Sequence, residues 1–374
     1  MTKRDSREDI KMKKILALVL CMMMTVMLLI GCAGENRDTA TEAPVDTAQE
    51  DAGNDDANEM ETAAGDLVFA FVAKDVNNPF MQSLFEGFEN AANEMNVEVL
   101  FRGPTNPTPE MQIEILNQLI AQNVDLIAVT ANDFDALGPT LDRAMDQGIS
   151  VISFDSSVNP DNRMVHINQA DPEMIGRVQM RAAHDIVNGE GGIGILSATA
   201  QASNQNLWIE WMVAEMEENP EKYANTPLIR IAYGDDDPTT STNETHGLLA
   251  DEDIRVIISP TTVGMLAAGR VLQTTGSDVK LTGLGTPADM YPFIEDGTVP
   301  WMYLWNPIDL GYLTFYAGLA LVEGTITGAV GDIFTSGSLG EFVVEDSPDG
   351  GTEVLLGDPF RFDIDNIEEW KDVF

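Results

Sequence analysis

From Leu67 onward, short apolar runs alternate with amphipathic stretches, and this rhythm constrains the fold more than any other feature of the sequence. The runs at 67–72, 97–101, 126–130 and 150–154 are separated by helix-period segments at 79–95, 109–122 and 136–147. The rhythm resumes with runs at 193–197, 228–232, 256–259 and 280–283, interleaved with helical segments at 205–217 and 263–274. Apolar runs this short read as strands buried on both faces, which is what a parallel sheet covered by helices demands. Pro109 suits a first helical turn, and Gly148 and Gly276 suit helix ends. The expected fold class is therefore α/β, built as two doubly wound parallel-sheet lobes divided near Asn168. A chain of 374 residues is long enough for two such cores.

The N-terminal part follows different rules. Lys11, Lys13 and Lys14 precede an apolar run at 15–30 that ends in Leu29-Ile30-Gly31-Cys32. That run is shorter than the ~20 residues of a typical membrane span and fits the apolar core of a signal peptide. Its end resembles a bacterial lipobox, which implies that 1–31 is a lipoprotein signal peptide and that Cys32 is lipidated. Met12 offers a second possible start. Two acyl chains, at ~0.8 kcal/mol per buried CH₂, would hold the protein on a membrane. The expected location is thus the outer face of the cytoplasmic membrane, or the periplasm. Residues 32–65 are rich in Ala, Thr, Asp and Glu and nearly free of large apolar side chains, as in a disordered, extended tether.

Charge and composition exclude several functions. A formal net charge of −42 repels phosphate backbones, so nucleic acid is not an expected partner. Both cysteines, Cys21 and Cys32, lie in the N-terminal segment, which leaves the folded part with no disulfide and no thiolate. His166, His184 and His246 are scattered over three elements, poor material for a metal site or a Ser-His-Asp triad. No cofactor, metal or enzymatic activity is expected.

Ligands of open parallel sheets sit beyond the carboxyl ends of the strands. In the first series those ends carry Lys74 with Asn78 and Phe80, then Asn132-Asp133, then Asp155-Ser156. In the second they carry Asn204-Gln205 with Trp208, then Pro260-Thr261-Thr262, and Asn306 follows a late run at 301–304. Carboxylates accept from hydroxyls, amides donate and accept, and lysine donates, so the set suits a neutral polyol. Asp133 and Asn204 equally suit capping of the helices that follow them. Phe80 and Trp208 suit either core packing or stacking on a sugar face. Three other motifs are set aside. Gly189-Glu190-Gly191-Gly192-Ile193-Gly194 precedes a strand rather than a helix, so it is not a phosphate cradle. Asp235-Asp236-Asp237 lacks calcium-loop spacing and reads as a solvated loop. Asn243-Glu244-Thr245 is a glycosylation sequon of little meaning beside a bacterial lipobox.

From about residue 66 to the end the chain resembles class I periplasmic sugar-binding proteins of the ribose-binding type. It is most similar to the subgroup with rhamnose-binding and autoinducer-2-binding proteins of ABC importers. The resemblance rests on Asn77-Asn78-Pro79-Phe80, Gly103-Pro104-Thr105, Thr130-Ala131-Asn132-Asp133 and Ser153-Phe154-Asp155-Ser156. It also rests on the strings beginning at Ala202, Ser259 and Trp305, and on the ending Asp358-Pro359-Phe360-Arg361-Phe362-Asp363. Lys74, Asp155, Gln205 and Pro260 match the autoinducer-receptor pattern, whereas Asn204 and Thr262 stand where that pattern has Asp and Ala. Asn204-Gln205-Asn206, Pro260 to Gly264 and Trp305 to Tyr312 resemble the rhamnose branch instead.

The resemblance implies a three-segment hinge, with crossings near Asn168, near Asn306 and after Gly340. An N-terminal lobe would comprise 66–168 plus 307–340, and a C-terminal lobe 169–306 plus 341–374. It also implies a monomeric substrate-binding lipoprotein of an ABC sugar importer, closing on rhamnose or a similar deoxyhexose and presenting it to a membrane permease. The alternatives are an autoinducer-2 receptor and an extracytoplasmic sugar-modifying enzyme that uses Asp133 and Asp155. A transcriptional repressor of related fold is excluded, because an export signal stands where a basic helix-turn-helix would be.

Overall fold

The computed structural model describes residues 67–374; the signal peptide, Cys32 and the tether expected before them lie outside the described residues. Strand β1 (Val68–Val72) is buried at every position but its first. Helix α1 (Pro79–Met95) begins on a proline, the Asn78 side chain accepts from the Phe80 amide at 3.0 Å, and Asn96 ends it with φ 55°. These are the start and stop signals expected for such residues. There follow β2 (Glu98–Arg102), α2 (Pro109–Gln122), β3 (Leu126–Val129), α3 (Gly138–Asp146), β4 (Ser150–Phe154) and β5 (His166–Asn168). The five strands form one parallel sheet in the order β5-β4-β3-β1-β2.

The second lobe starts with α4 (Pro172–Ile186) and continues through β6 (Gly192–Ser197), α5 (Ser203–Glu218), β7 (Leu228–Tyr233), α6 (Pro238–Leu249) and β8 (Ile254–Ser259). It then runs through α7 (Thr262–Thr275), β9 (Lys280–Gly283), α8 (Pro287–Glu295) and β10 (Trp301–Leu304). Strands β7-β6-β8-β9 pair in parallel, and a bridge between Leu284 and Tyr303 ties β10 alongside.

Helix α9 (Pro307–Val322) returns to the first lobe and packs on α1. The contact is backbone against backbone. A Cβ added at Gly87 would overlap the Ile308 carbonyl, and one at Gly311 the Leu84 carbonyl, so only glycine permits this approach. Phe71 anchors the core beneath, with the rings of Phe85, Phe88, Phe101 and Phe154 at centroid distances of 4.6–5.7 Å. Each fully buried ring of this kind contributes roughly 1.5–3 kcal/mol through the area it removes from water.

The tail corrects one expectation. After the hairpin β11 (Ile333–Ser336) and β12 (Gly340–Val343) come β13 (Glu345–Asp346) and β14 (Thr352–Leu355), and β14 adds to the first sheet beside β5, with Val354 opposite Ile167. Residues 345–355 therefore belong to the first lobe, not to the second as the 341–374 assignment had it. The final crossing falls between Leu355 and β15 (Phe360–Asp363), which pairs antiparallel with β10; α10 (Ile367–Trp370) then packs on α8. The reason is physical. β14 has four residues, of which only Glu353 and Val354 are buried, too short a pattern to reveal its sheet. The other two crossings lie between β5 and α4 and between β10 and α9, near the expected positions.

Candidate functional site

The carboxyl ends of strands from both sheets converge on a cleft, partly open to solvent, with about 380 Å³ of atom-free space including its open mouth. Lys74 and the start of α1 enter after β1, Asp155 after β4, and Asn204, Gln205 and Trp208 from α5 after β6. Asp236 follows β7, Pro260 to Thr262 follow β8, Leu284 follows β9, and Trp305 follows β10. Seven strands thus deliver the wall.

Its polar half is a network that crosses between lobes. The Lys74 ammonium lies 3.1 Å from Asp155 Oδ2 and donates to Asn204 Oδ1 at 3.4 Å. Asn204 Nδ2 donates to Asp155 Oδ1 at 3.2 Å. Thr130 Oγ1 donates to Asp155 Oδ2 at 3.0 Å, bracing the carboxylate from below. Asp155 holds φ 55°, a left-handed conformation that aspartate tolerates better than most side chains and that turns the chain sharply out of β4. Backbone conformations of this kind concentrate at functional sites. Gln112, fully buried on α2, fixes the strand ends themselves: its Nε2 donates to the carbonyls of Ala73 (3.1 Å) and Thr130 (2.8 Å).

A second inter-lobe cluster sits beside the first. Thr262 Oγ1 donates to Asn78 Oδ1 at 3.2 Å, and Asn78 Nδ2 donates to Asp236 Oδ2 at 3.4 Å. Thr261 Oγ1 donates to Asp236 Oδ1 at 2.6 Å. Burial raises the Asp236 carboxyl above its ordinary value; the Thr261 hydrogen bond and the Lys74 charge pull it down, and Asp75 and Asp155 push it up. Gln205 Oε1 accepts from Ser197 Oγ and from the Ala198 amide, both at 2.8 Å, which holds the side-chain amide in one orientation.

The opposite half is apolar. Phe80 and Trp208 each meet Trp305 edge-on, with centroids 6.0 Å away at 81° and 62°. Met81, Leu284 and Leu304 complete this wall. Trp305 is 4% exposed, and its indole Nε1 finds no hydrogen-bond partner among the described residues. A buried N–H in this position is a donor reserved for something else.

Ten of the twelve expected ligand residues line this cleft: Lys74, Asn78, Phe80, Asp155, Asn204, Gln205, Trp208, Pro260, Thr261 and Thr262. Two lie elsewhere. Asp133 Oδ1 accepts from the amides of Asp135 and Ala136, so its side chain is spent on the turn that leads into α3, and that helix starts at Gly138 rather than 136. Asn306 caps α9, accepting from the amides of Ile308 (3.0 Å) and Asp309 (3.4 Å). Its neighbour Trp305 faces the cleft instead. Asp236 corrects the solvated-loop reading of Asp235-Asp236-Asp237: its carboxylate is bonded inside the cleft. The available clue was its place just past the run at 228–232.

Residues 69–326 match the family described as the periplasmic binding protein domain. The chain is 42% identical to an ABC transporter solute-binding protein from Clostridium phytofermentas solved with bound L-rhamnose, over 82% of this chain and 99% of that one, with a TM-score of 0.80. A sugar ABC transporter protein from Actinomyces odontolyticus is 40% identical over 82% of this chain and 98% of that one, with a TM-score of 0.65. LsrB from Clostridium saccharobutylicum, solved in complex with AI-2, shares the fold at 22% identity over 81% of this chain and 99% of that one, with a TM-score of 0.75.

Proposed function

The chain belongs to the periplasmic binding protein family, and on that premise we propose that it is the solute-binding component of an ABC sugar importer, with L-rhamnose or a similar deoxyhexose as its ligand. The observation that carries this reading is the two-sided cleft. One wall offers a carboxylate pair, an ammonium and amides to hydroxyl groups; the other offers three aromatic rings and aliphatic side chains to a C–H face. A deoxyhexose has that division, with a methyl group where a hexose carries a further hydroxyl. The 42% identical protein solved with L-rhamnose supports the same class.

Asn204 supports a sugar over autoinducer-2. It donates to Asp155 while accepting from Lys74, and an aspartate, which accepts only, would bring a second carboxylate against Asp155. Both cleft carboxylates are held by neighbours, Asp155 by Lys74, Thr130 and Asn204, and Asp236 by Thr261 and Asn78. That favours binding over turnover. The protein would act outside the cytoplasm as a monomer, anchored through Cys32, and closure of its lobes on the sugar would create the surface that a permease reads. Hinge closure around a ligand is the general behaviour of periplasmic binding proteins.

Isothermal titration of the full chain with neutral sugars tests the assignment. L-rhamnose should bind tightest and leave unchanged after incubation. Tighter binding of autoinducer-2 than of any sugar, or recovery of a converted product, would refute it.

A further inference from the structure

A second chamber, partly open to solvent, lies on the hinge side of the sugar cleft, with about 570 Å³ of atom-free space including its open mouth. It is walled by both lobes: Phe134 and Ser157 from the first, Pro172 and Leu207 from the second, with Gln169 between them on the first crossing. Asp155, Asn204 and Trp208 line both spaces. The two are therefore neighbours across one thin partition, and the 3.2 Å hydrogen bond between Asn204 and Asp155 is part of it.

Gln169 is the informative residue. It is fully buried, it lines the chamber, and neither its Nε2 nor its Oε1 has a hydrogen-bond partner among the described residues. An amide with both ends unpaired is costly in such a place unless something of matching chemistry comes to it. Around it the surface is mostly apolar, and the largest ring, Trp208, is shared with the sugar cleft. Two carboxylates that line the chamber are already partnered, Glu353 by Asn168 Nδ2 at 3.0 Å and Asp349 by Arg163 Nη2 at 2.8 Å, which suits an uncharged occupant. A mostly apolar space of this size with a few fixed polar groups is the usual form of a small-molecule site.

We propose that the natural ligands include neutral glycosides, with the deoxyhexose ring in the cleft and the aglycone, a second sugar or an aromatic ring, in the hinge-side chamber against Trp208 and the Gln169 amide. The inference rests on the sugar reading of the first cavity and extends it from a monosaccharide to a class of two-ring ligands. Entry of the second ring requires Asn204 to swing from Asp155. Of the three residues that line both spaces, Asn204, on the first turn of α5, is the one that is only partly buried, which makes it the part of the partition placed to move.

Titration of the full chain with L-rhamnose and with 4-nitrophenyl α-L-rhamnopyranoside tests this, in the natural protein and in Leu207→Trp, which fills the chamber without touching the cleft. The aryl glycoside should bind at least as tightly as the free sugar. Leu207→Trp should weaken the glycoside by about tenfold or more and L-rhamnose by less than about twofold. Leu207→Ala, which keeps the chamber open, should retain L-rhamnose affinity and weaken the glycoside less than Leu207→Trp does, which shows that the position tolerates change. Binding of L-rhamnose with exclusion of the glycoside overturns the inference and leaves the proposed function standing. Equal weakening of both ligands by Leu207→Trp, with Leu207→Ala unaffected, overturns it as well, because the chamber would then not be a separate compartment. Binding of neither ligand overturns both readings.

Discussion

Asp155→Asn isolates the charge at the centre of the cleft. The substitution keeps the shape of the side chain and a residue type that tolerates φ 55°, so the turn out of β4 survives. Alanine at the same position would add roughly 1–2 kcal/mol of left-handed backbone strain and confuse stability with binding. What asparagine removes is the carboxylate that faces Lys74 at 3.1 Å and accepts from Thr130 and Asn204. A hydrogen bond to a charged group is worth about 1.5–3 kcal/mol, which corresponds to roughly ten- to a hundredfold in dissociation constant. The lower half of that range is expected, because Asp236 remains within Coulombic reach of Lys74 and supplies part of the lost field.

Calorimetric titration of L-rhamnose into the natural protein, Asp155→Asn, Lys74→Met and the double variant measures the effect and its origin. If the ion pair organises the ligand, the two single losses should fail to add, with a coupling of about 1 kcal/mol or more. An unchanged affinity in Asp155→Asn would place this carboxylate outside the binding site and refute the reasoning. Strict additivity would leave the site intact but deny that Lys74 and Asp155 act as a unit.

Asn306→Ala should lower stability by about 1 kcal/mol through loss of the α9 cap, seen as a lower midpoint in denaturant, while sugar affinity stays within about twofold. A large loss of affinity would return Asn306 to the cleft. His166, buried beneath the hinge and bonded through Nδ1 to Ser153 Oγ at 2.8 Å, should make the fold acid-sensitive. Burial first, and the Arg163 charge second, lower its pKa from 6.5 to about 3. The unfolded chain therefore binds this proton between pH 6.5 and 3 while the folded chain does not, so the stability it contributes is complete above pH 6.5 and is lost as pH falls. The loss is about 2 kcal/mol by pH 5, and His166→Gln should abolish that share of the slope in urea titrations at pH 5 and pH 7.

Much of the fold was legible because two independent rules agree on it. Runs such as 67–72 and 126–130 are too short and too apolar for surface helices, and each is followed by polar residues before the next helix-period segment. Pro79 with the capping Asn78 at one helix start, and the left-handed Asn96 at its end, mark boundaries through local chemistry of the chain. β14 was not legible for the converse reason. Its four residues carry no period long enough to read, and its place beside β5 is decided by the sheet edge that the rest of the first lobe leaves open. A strand that is recruited by an edge is specified by its partner more than by its own side chains.

The cleft divides along the same line. Residues directly past a strand, Lys74 and Asp155 among them, could be found from topology, since parallel sheets present that edge to a ligand. What topology cannot resolve is which of two adjacent residues turns inward. At 305–306 the polar member was the natural choice for a polyol site. The chain uses Asn306 to start α9 and so commits its side chain to backbone amides, which leaves Trp305 to face the cleft with an unpaired N–H. At 133 the same competition ends the same way, with the side chain spent on the turn before α3. At 236 it reverses. Asp237 takes the cap of α6, accepting from the Thr240 amide at 2.7 Å, and the left-handed turn at Asp235 and Asp236 frees Asp236 for Thr261. Where a side chain caps the helix after a binding strand, as Asp237 does for α6 and Asn306 for α9, the capping residue leaves the cleft to its neighbour, whereas Asn78 both caps α1 and lines the cleft.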